Sequence, residues 1–198
     1  MQVNPLWLCA GLILGLTGPA NCETVQIDFD ELVTQPANGV SIRGVTFGFW
    51  MGNSPSDEAT YNYPIGLDGL SYEDGGVLEG PAGGTLTMDF ARPTPLLIFG
   101  AAFATLEPLE HAMTVNLLAG DGTLLEPQTL AAAPLAAVDE TEFRYLGVPV
   151  RRAAVSFDED ACRFAIDRVT FETPEVGTMM LLGSGVLLLA AGRLRRRT

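Results

Sequence analysis

Hydrophobic and polar residues alternate along most of the central part of the chain, which is the pattern of half-buried β-strands. In the first such segment, Val25, Ile27 and Phe29 are separated by polar residues. The segment 84–90 alternates in the same way, and the apolar run 96–103 is typical of a separate central strand buried on both faces. About nine or ten short strands, with turn residues roughly every 8 to 12 positions, indicate a β-sandwich or barrel.

Two apolar segments at the ends of the chain do not follow the strand pattern. Residues 6–16 have the length of the apolar region of a signal peptide, and the small residues Ala20 and Cys22 suit cleavage before Glu23. An uncleaved N-terminal anchor is the alternative. Residues 176–194 are long enough to form a single transmembrane helix. The predicted organisation is a signal peptide (1–22), an exported β-domain (23–173) and a membrane tail (174–198).

The tail has three parts: a short acidic proline motif, an apolar span and a basic tip. The motif is Pro174, Glu175 and Val176, and the tip contains Arg193, Arg195, Arg196 and Arg197. This arrangement resembles the PEP-CTERM sorting signal of Gram-negative bacteria, in which the motif usually ends in proline where this chain has Val176. The resemblance implies export across the inner membrane, contact with an exosortase-like processing enzyme, and association with extracellular polysaccharide or biofilm. The domain would stay anchored by the helix or be released to the cell surface or matrix after processing.

Three segments of the exported domain, 25–32, 44–47 and 164–171, are similar to the first and last strands of jelly-roll domains in exported bacterial proteins. The resemblance implies an all-β, jelly-roll-like β-sandwich. No catalytic residues are carried over with it.

The exported domain is strongly acidic, since 7 arginines against 23 aspartates and glutamates leave a formal charge of −16, and the chain has no lysine. A surface of this charge excludes nucleic acid as a partner, because binding to phosphates requires a cationic surface. It suits a divalent cation or a neutral or basic ligand. Cys162 is the one cysteine of the domain and is expected to be buried.

Five aspartates form a candidate calcium site, because hard cations prefer several oxygen ligands. They lie on the first strand, in an acidic turn and on the last strand: Asp28, Asp30, Asp158, Asp160 and Asp167. If the terminal strands pair, these carboxylates would converge on Ca²⁺. The alternative is a solvated turn with outward strand positions. Zinc is disfavoured because His111 is the only histidine.

Aromatic residues flank or lie within 53–83, the longest stretch without a clear strand pattern and the best candidate for a functional loop. They are Trp50, Tyr61, Tyr63 and Tyr72. Such rings can stack on the C–H face of a sugar, and nearby Asp and Asn side chains can bind its hydroxyls. The alternative is that these rings pack the core and hold the loop in place.

Catalytic motifs are scarce in the sequence. A Ser-His-Asp site would have to use His111, and the domain has no Gly-x-Ser-x-Gly turn. The leading interpretation is therefore an exported, non-enzymatic cell-surface or matrix protein. The alternative is a carbohydrate-binding module, and a glycoside hydrolase with paired carboxylates is the third hypothesis.

Overall fold

All regular secondary structure in the described part of the chain is β-strand, which confirms the predicted all-β class. The computed structural model describes residues 22–64, 75–133 and 138–174. The strands are β1 (Cys22–Ile27), β2 (Gln35–Pro36), β3 (Ser41–Ile42), β4 (Val45–Met51), β5 (Ser54–Pro55), β6 (Thr60–Pro64), β7 (Gly76–Pro81), β8 (Gly84–Ala104), β9 (Leu109–Ala119), β10 (Gln128–Ala132), β11 (Val138–Phe157) and β12 (Arg163–Pro174).

Two long strands, β8 and β11, take part in both layers of the domain. The first half of β8 pairs with β4 and with the second half of β11, and β9 and β10 extend this first layer. The second half of β8 pairs with the first half of β11 and with β12, and β7, β6 and β2 extend this second layer. All of these pairings are antiparallel, as is usual in β-sandwiches.

The core lies between the two layers and is built from the inward residues of each strand. Phe49 of the first layer contacts Phe164 of the second, with ring centroids 5.9 Å apart. Phe90 contacts Phe171 in the same manner at 5.4 Å. Burying one such side chain contributes roughly 1.5–3 kcal/mol, so these contacts between layers help hold the sandwich together.

The two strands predicted at 84–90 and 96–103 are halves of one strand, β8, which is 21 residues long. Pro93 and Pro95 lie between the halves. In the sequence these two prolines indicate the end of a strand, because proline cannot donate a hydrogen bond to a neighbouring strand. Here they occupy the bend where β8 passes from one layer to the other, and β11 shifts its register opposite them, between Leu146 and Val150.

The stretch 53–83 is not one long loop, because it contains β5, β6 and β7. Its glycines suggested turns, but Gly80 lies within β7 for a packing reason. A Cβ atom at Gly80 would lie 2.9 Å from the Phe164 ring, so only glycine fits there. Residues 65–74 lie outside the described part of the chain.

The two ends of the chain are almost entirely outside the described residues, which include Cys22 and Pro174 but no more of the predicted signal peptide or tail. Between residues 22 and 174, where the chain is described, no helix is long and apolar enough to span a membrane. Cys162 is exposed rather than buried as predicted, because it belongs to the turn that leads into β12.

Candidate functional site

Trp50 points away from the core because β4 alternates strictly. Val45, Phe47 and Phe49 are buried between the layers, so Trp50 lies on the opposite side of the sheet. Its side chain remains 38% exposed. The alternation that anchors β4 in the core therefore presents the indole ring to solvent.

The neighbouring strand β8 continues this outward surface with polar residues. The outward pairs across β4 and β8 are Trp50–Thr85, Gly48–Thr87 and Thr46–Asp89. We call the surface formed by Thr46, Gly48, Trp50, Thr85, Thr87 and Asp89 the Trp50 face. Since directly paired residues share one side of a sheet, these side chains form a continuous patch.

Gly48 allows the Trp50 indole to lie close to the sheet. A Cβ atom at Gly48 would lie 3.4 Å from the indole nitrogen and 2.6 Å from the Thr87 hydroxyl, so a larger residue would displace one of them. Beside the indole is an open cavity of about 440 Å³. Asn38, on the segment that borders β4, also lines this cavity.

An ion pair between Arg152 and Asp89 also lines this cavity. The Arg152 guanidinium donates from Nε to Asp89 Oδ1 at 2.6 Å and from Nη2 to Asp89 Oδ2 at 2.9 Å. This hydrogen bonding raises the pKa of Arg152 above its usual value. The bidentate pair leaves the Trp50 face without net charge and fixes Asp89 as an acceptor.

The site combines one flat ring with several polar groups. Within the described chain, the Trp50 indole N–H and the Asn38 amide make no hydrogen bond. The Thr85 hydroxyl lies 3.1 Å from that of Ser156, and the Thr87 hydroxyl donates to the Gly48 carbonyl at 3.3 Å. An apolar ring face flanked by such groups can stack on one side of a sugar and bind its hydroxyls.

Tyr61 lies in the core and is not accessible to a ligand. Its ring is fully buried, with centroids 5.1 Å from Phe29 and 6.2 Å from Phe47. Its hydroxyl donates to Glu31 Oε2 at 3.0 Å. Burial, with Glu31 adding to it, raises the pKa of Tyr61 well above the usual value. This corrects the expectation of an exposed ring at this position.

Tyr63 and Trp50 belong to different layers. Tyr63 is 43% exposed, but it lies on β6, which pairs with β7 in the second layer. Tyr72 lies outside the described residues. The predicted aromatic set is therefore not one cluster, and Trp50 is its member beside the cavity.

The five aspartates predicted to bind calcium do not come together. Asp158 accepts the backbone N–H of Asp160 at 3.0 Å within its own turn. Asp167 is fully buried and accepts the N–H of Arg168 at 2.6 Å, while Asp28 accepts from a neighbouring glutamine on β1. The fifth, Asp30, is exposed. No group of three or more His, Cys, Asp or Glu side chains in residues 22–64, 75–133 and 138–174 could hold a metal ion.

The structure places the candidate catalytic groups apart. His111 is exposed on β9 in the first layer and is not among the residues that line the cavity. Asp89 is the one carboxylate among the described residues lining the cavity, and it is bound by Arg152. Paired-carboxylate glycoside hydrolysis needs a second acidic group beside the bound sugar, so this cavity does not favour it.

The sequence analysis did not identify the polar residues around Trp50. The segment 84–90 alternates, which predicts that three of its polar residues share one face of the strand: Thr85, Thr87 and Asp89. The sequence contains no signal that β8 pairs with β4 or that Arg152 reaches Asp89. Those facts depend on pairing between strands that are far apart in the chain.

A scan against protein-family models and a search of curated proteins find no match to this chain. Solved structures that are similar to this chain include a family 29 carbohydrate-binding module in complex with mannohexaose, at 13% identity and a TM-score of 0.43, over 77% of this chain and 93% of that one. The xylan-binding domain of family 22 gives 13% identity and a TM-score of 0.44, over 81% and 99% of the two chains. The K2 cleaved adhesin domain of Lys-gingipain gives 16% identity and a TM-score of 0.44, over 75% of this chain and 99% of that one. At TM-scores below 0.5, these similarities assign no site or ligand to this chain.

Proposed function

We propose that this protein is an exported, non-enzymatic cell-surface or matrix protein whose folded domain binds carbohydrate at the Trp50 face. The observation that carries the proposal is the exposed Trp50 indole beside an open cavity of about 440 Å³. A large aromatic side chain at a concave and otherwise polar site is costly to leave in water, and covering it with a ligand ring regains that free energy.

The composition of the cavity favours a sugar over an apolar ligand. Hydroxyl and amide groups of Thr85, Thr87 and Asn38 line the cavity beside the ring, whereas pockets for apolar ligands are lined predominantly by hydrophobic and aromatic side chains. A sugar offers both an apolar C–H face for the indole and hydroxyls for these groups. The Asp89 carboxylate, held by Arg152, can accept a further hydroxyl.

The location of the protein is proposed from its sequence. A signal peptide at 1–22 would carry a jelly-roll-like domain across the inner membrane. A transmembrane helix at 176–194 would anchor the domain there, and an exosortase-like enzyme would recognise the tail. Intact masses of the protein from membrane and culture-medium fractions of its host test this proposal. A product that ends near Pro174 supports processing of the tail. A product that keeps Arg195–Arg197 indicates a permanent anchor, and a cytoplasmic product with both ends intact contradicts export.

Binding is tested with the full-length protein, purified in a detergent without a sugar headgroup and applied to a glycan array. The variants are Trp50→Ala and, as a matched control, Tyr63→Ala, which removes an exposed aromatic ring from the other layer. We expect the wild type and Tyr63→Ala to bind the same glycans equally and Trp50→Ala to bind them roughly tenfold more weakly. The absence of binding by the wild type, or equal binding by all three proteins, would reject the proposal.

A further inference from the structure

The cavity beside Trp50 adjoins a second open cavity of about 520 Å³. The two cavities share Thr46 and Asp89 in their linings, so they adjoin at these residues, and we call the pair of adjoining cavities the groove. The second cavity is lined beyond the shared residues by Ser41, Arg43 and Arg151, among others. A ligand that starts on the indole can therefore continue past the Asp89–Arg152 ion pair.

The groove follows the direction of the paired strands β4 and β8. Thr85 lines one end, beside Trp50, and Ala91 lines the other. The six steps of extended strand from residue 85 to residue 91 cover roughly 20 Å, which is the length of several linked sugars. The groove has room for a polysaccharide segment rather than a single sugar.

The two ends of the groove differ in charge. Asp89 is neutralised by Arg152, and Arg43 is held by Glu31 at 3.3 Å and by the Gln26 carbonyl at 2.9 Å. The exposed Arg151 side chain makes no ion pair and no hydrogen bond within the described residues. The far end therefore carries an uncompensated positive charge, in a domain whose formal charge is −16.

We infer that the groove binds an acidic polysaccharide, with one sugar stacked on Trp50 and an anionic group, several sugars further along, bound by Arg151. The inference rests on the proposed carbohydrate binding and adds the ligand class. A guanidinium forms charge-assisted, bidentate hydrogen bonds with a carboxylate or a sulfate. The acidic side chains elsewhere on the domain do not prevent binding of an anionic group at Arg151. Their repulsion of the polysaccharide is largely screened beyond about 8 Å at physiological salt.

The test is affinity electrophoresis of the full-length protein in gels that contain a single polysaccharide. Arabinoxylan and glucomannan provide uncharged chains, glucuronoxylan and alginate provide carboxylates, and dextran sulfate provides sulfates. The variants are Arg151→Gln and, as a matched control, Arg144→Gln, which removes an exposed arginine that lies on the second-layer half of β11 and pairs with Glu142. Thermal unfolding checks that both variants are folded.

We expect the tightest binding to be to an acidic polysaccharide, and Arg151→Gln to weaken it roughly five- to tenfold. Arg144→Gln should leave it unchanged, and the carboxylate and sulfate gels identify which anion is preferred. The tightest binding to an uncharged chain, or an acidic preference that survives Arg151→Gln, would overturn the inference while leaving carbohydrate binding intact. Binding to none of the five gels would overturn the inference, and absence of binding on the glycan array as well would reject the proposed function itself.

Discussion

Two clusters in this domain combine the same three kinds of side chain: an aromatic ring, a carboxylate and an arginine. One is Trp50 with Asp89 and Arg152, and the other is Tyr61 with Glu31 and Arg43. They differ in burial, since the Trp50 side chain is 38% exposed and that of Tyr61 is fully buried. The comparison teaches that residue type alone does not separate a binding site from a structural cluster.

Burial also decides what the polar partners do in each cluster. Glu31 accepts the Tyr61 hydroxyl beneath the surface, so the hydrogen bond satisfies a group that water cannot reach. Asp89 and Arg152 lie half-exposed beside an open cavity, where their remaining hydrogen-bonding capacity faces solvent. Changes in the Tyr61 cluster should therefore affect stability, and changes in the Trp50 cluster should affect binding.

The largest expected effect is on stability, from Tyr61→Ala. Removing a fully buried ring that contacts Phe29 and Phe47 leaves a cavity and costs about 3–5 kcal/mol in the free energy of unfolding. Tyr63→Ala is the matched control and should cost less than about 0.5 kcal/mol, since its ring is exposed. Urea denaturation measures both. Similar losses for the two variants would contradict the distinction between the clusters.

The next effect depends on pH and comes from the Tyr61 hydroxyl. Its pKa is raised in the folded protein, so the folded state holds its proton more tightly than the unfolded state, whose pKa is near 10.0. This contribution to stability is complete below pH 10 and is lost as the pH rises above it. Thermal unfolding of the wild type and Tyr61→Phe from pH 8 to 11 measures the difference.

At neutral pH, Tyr61→Phe should cost about 1–3 kcal/mol, because Glu31 loses the hydrogen bond that the Tyr61 hydroxyl donates. The difference in stability between the wild type and Tyr61→Phe should narrow as the pH rises above 10. A difference that stays constant from pH 8 to 11 would mean that the proton of the Tyr61 hydroxyl does not contribute to stability in this way.

A smaller effect is expected from Trp50 variants, and it should appear in affinity rather than stability. Trp50→Ala should weaken glycan binding roughly tenfold and change the free energy of unfolding by less than about 1 kcal/mol. Trp50→Phe should retain part of the affinity, because a flat ring remains but the indole N–H is lost. Isothermal titration with the glycan selected on the array gives the affinities. A destabilised Trp50→Ala protein would show that the indole supports the fold.

The smallest effect is expected from Arg152→Gln. The ion pair with Asp89 is half-exposed, with side-chain exposures of 51% and 39%, so its loss should cost about 0.5–1 kcal/mol. The cost should fall further at high salt, because exposed charges are screened. Urea denaturation at low and high salt measures both values. A cost of several kcal/mol would indicate that the pair is structural, like the Tyr61 cluster.

The contrast between the two clusters also shows which features of the fold and the site can be predicted from the sequence. The alternation of Val25, Ile27 and Phe29 predicts a strand, and the same pattern in 84–90 predicts which residues of β8 face outward. Local sequence could not separate Trp50 from Tyr61, because both lie in short strands and their burial depends on which layer covers them. The pairing of β4 with β8, which builds the Trp50 face, is a contact between distant parts of the chain. The predicted jelly-roll-like connectivity and the sorting tail stay predictions.

The central claim is that carbohydrate covers Trp50, and fluorescence quenching tests it most directly. The chain has two tryptophans, so in a Trp7→Phe variant the emission reports Trp50 alone. Acrylamide quenching is measured with and without a saturating amount of the glycan selected on the array, and gel retardation of the same sample confirms binding. We expect the bound glycan to protect Trp50 and lower the quenching constant at least about twofold, since an exposed ring becomes covered. An unchanged quenching constant in a sample that binds the glycan would contradict the account.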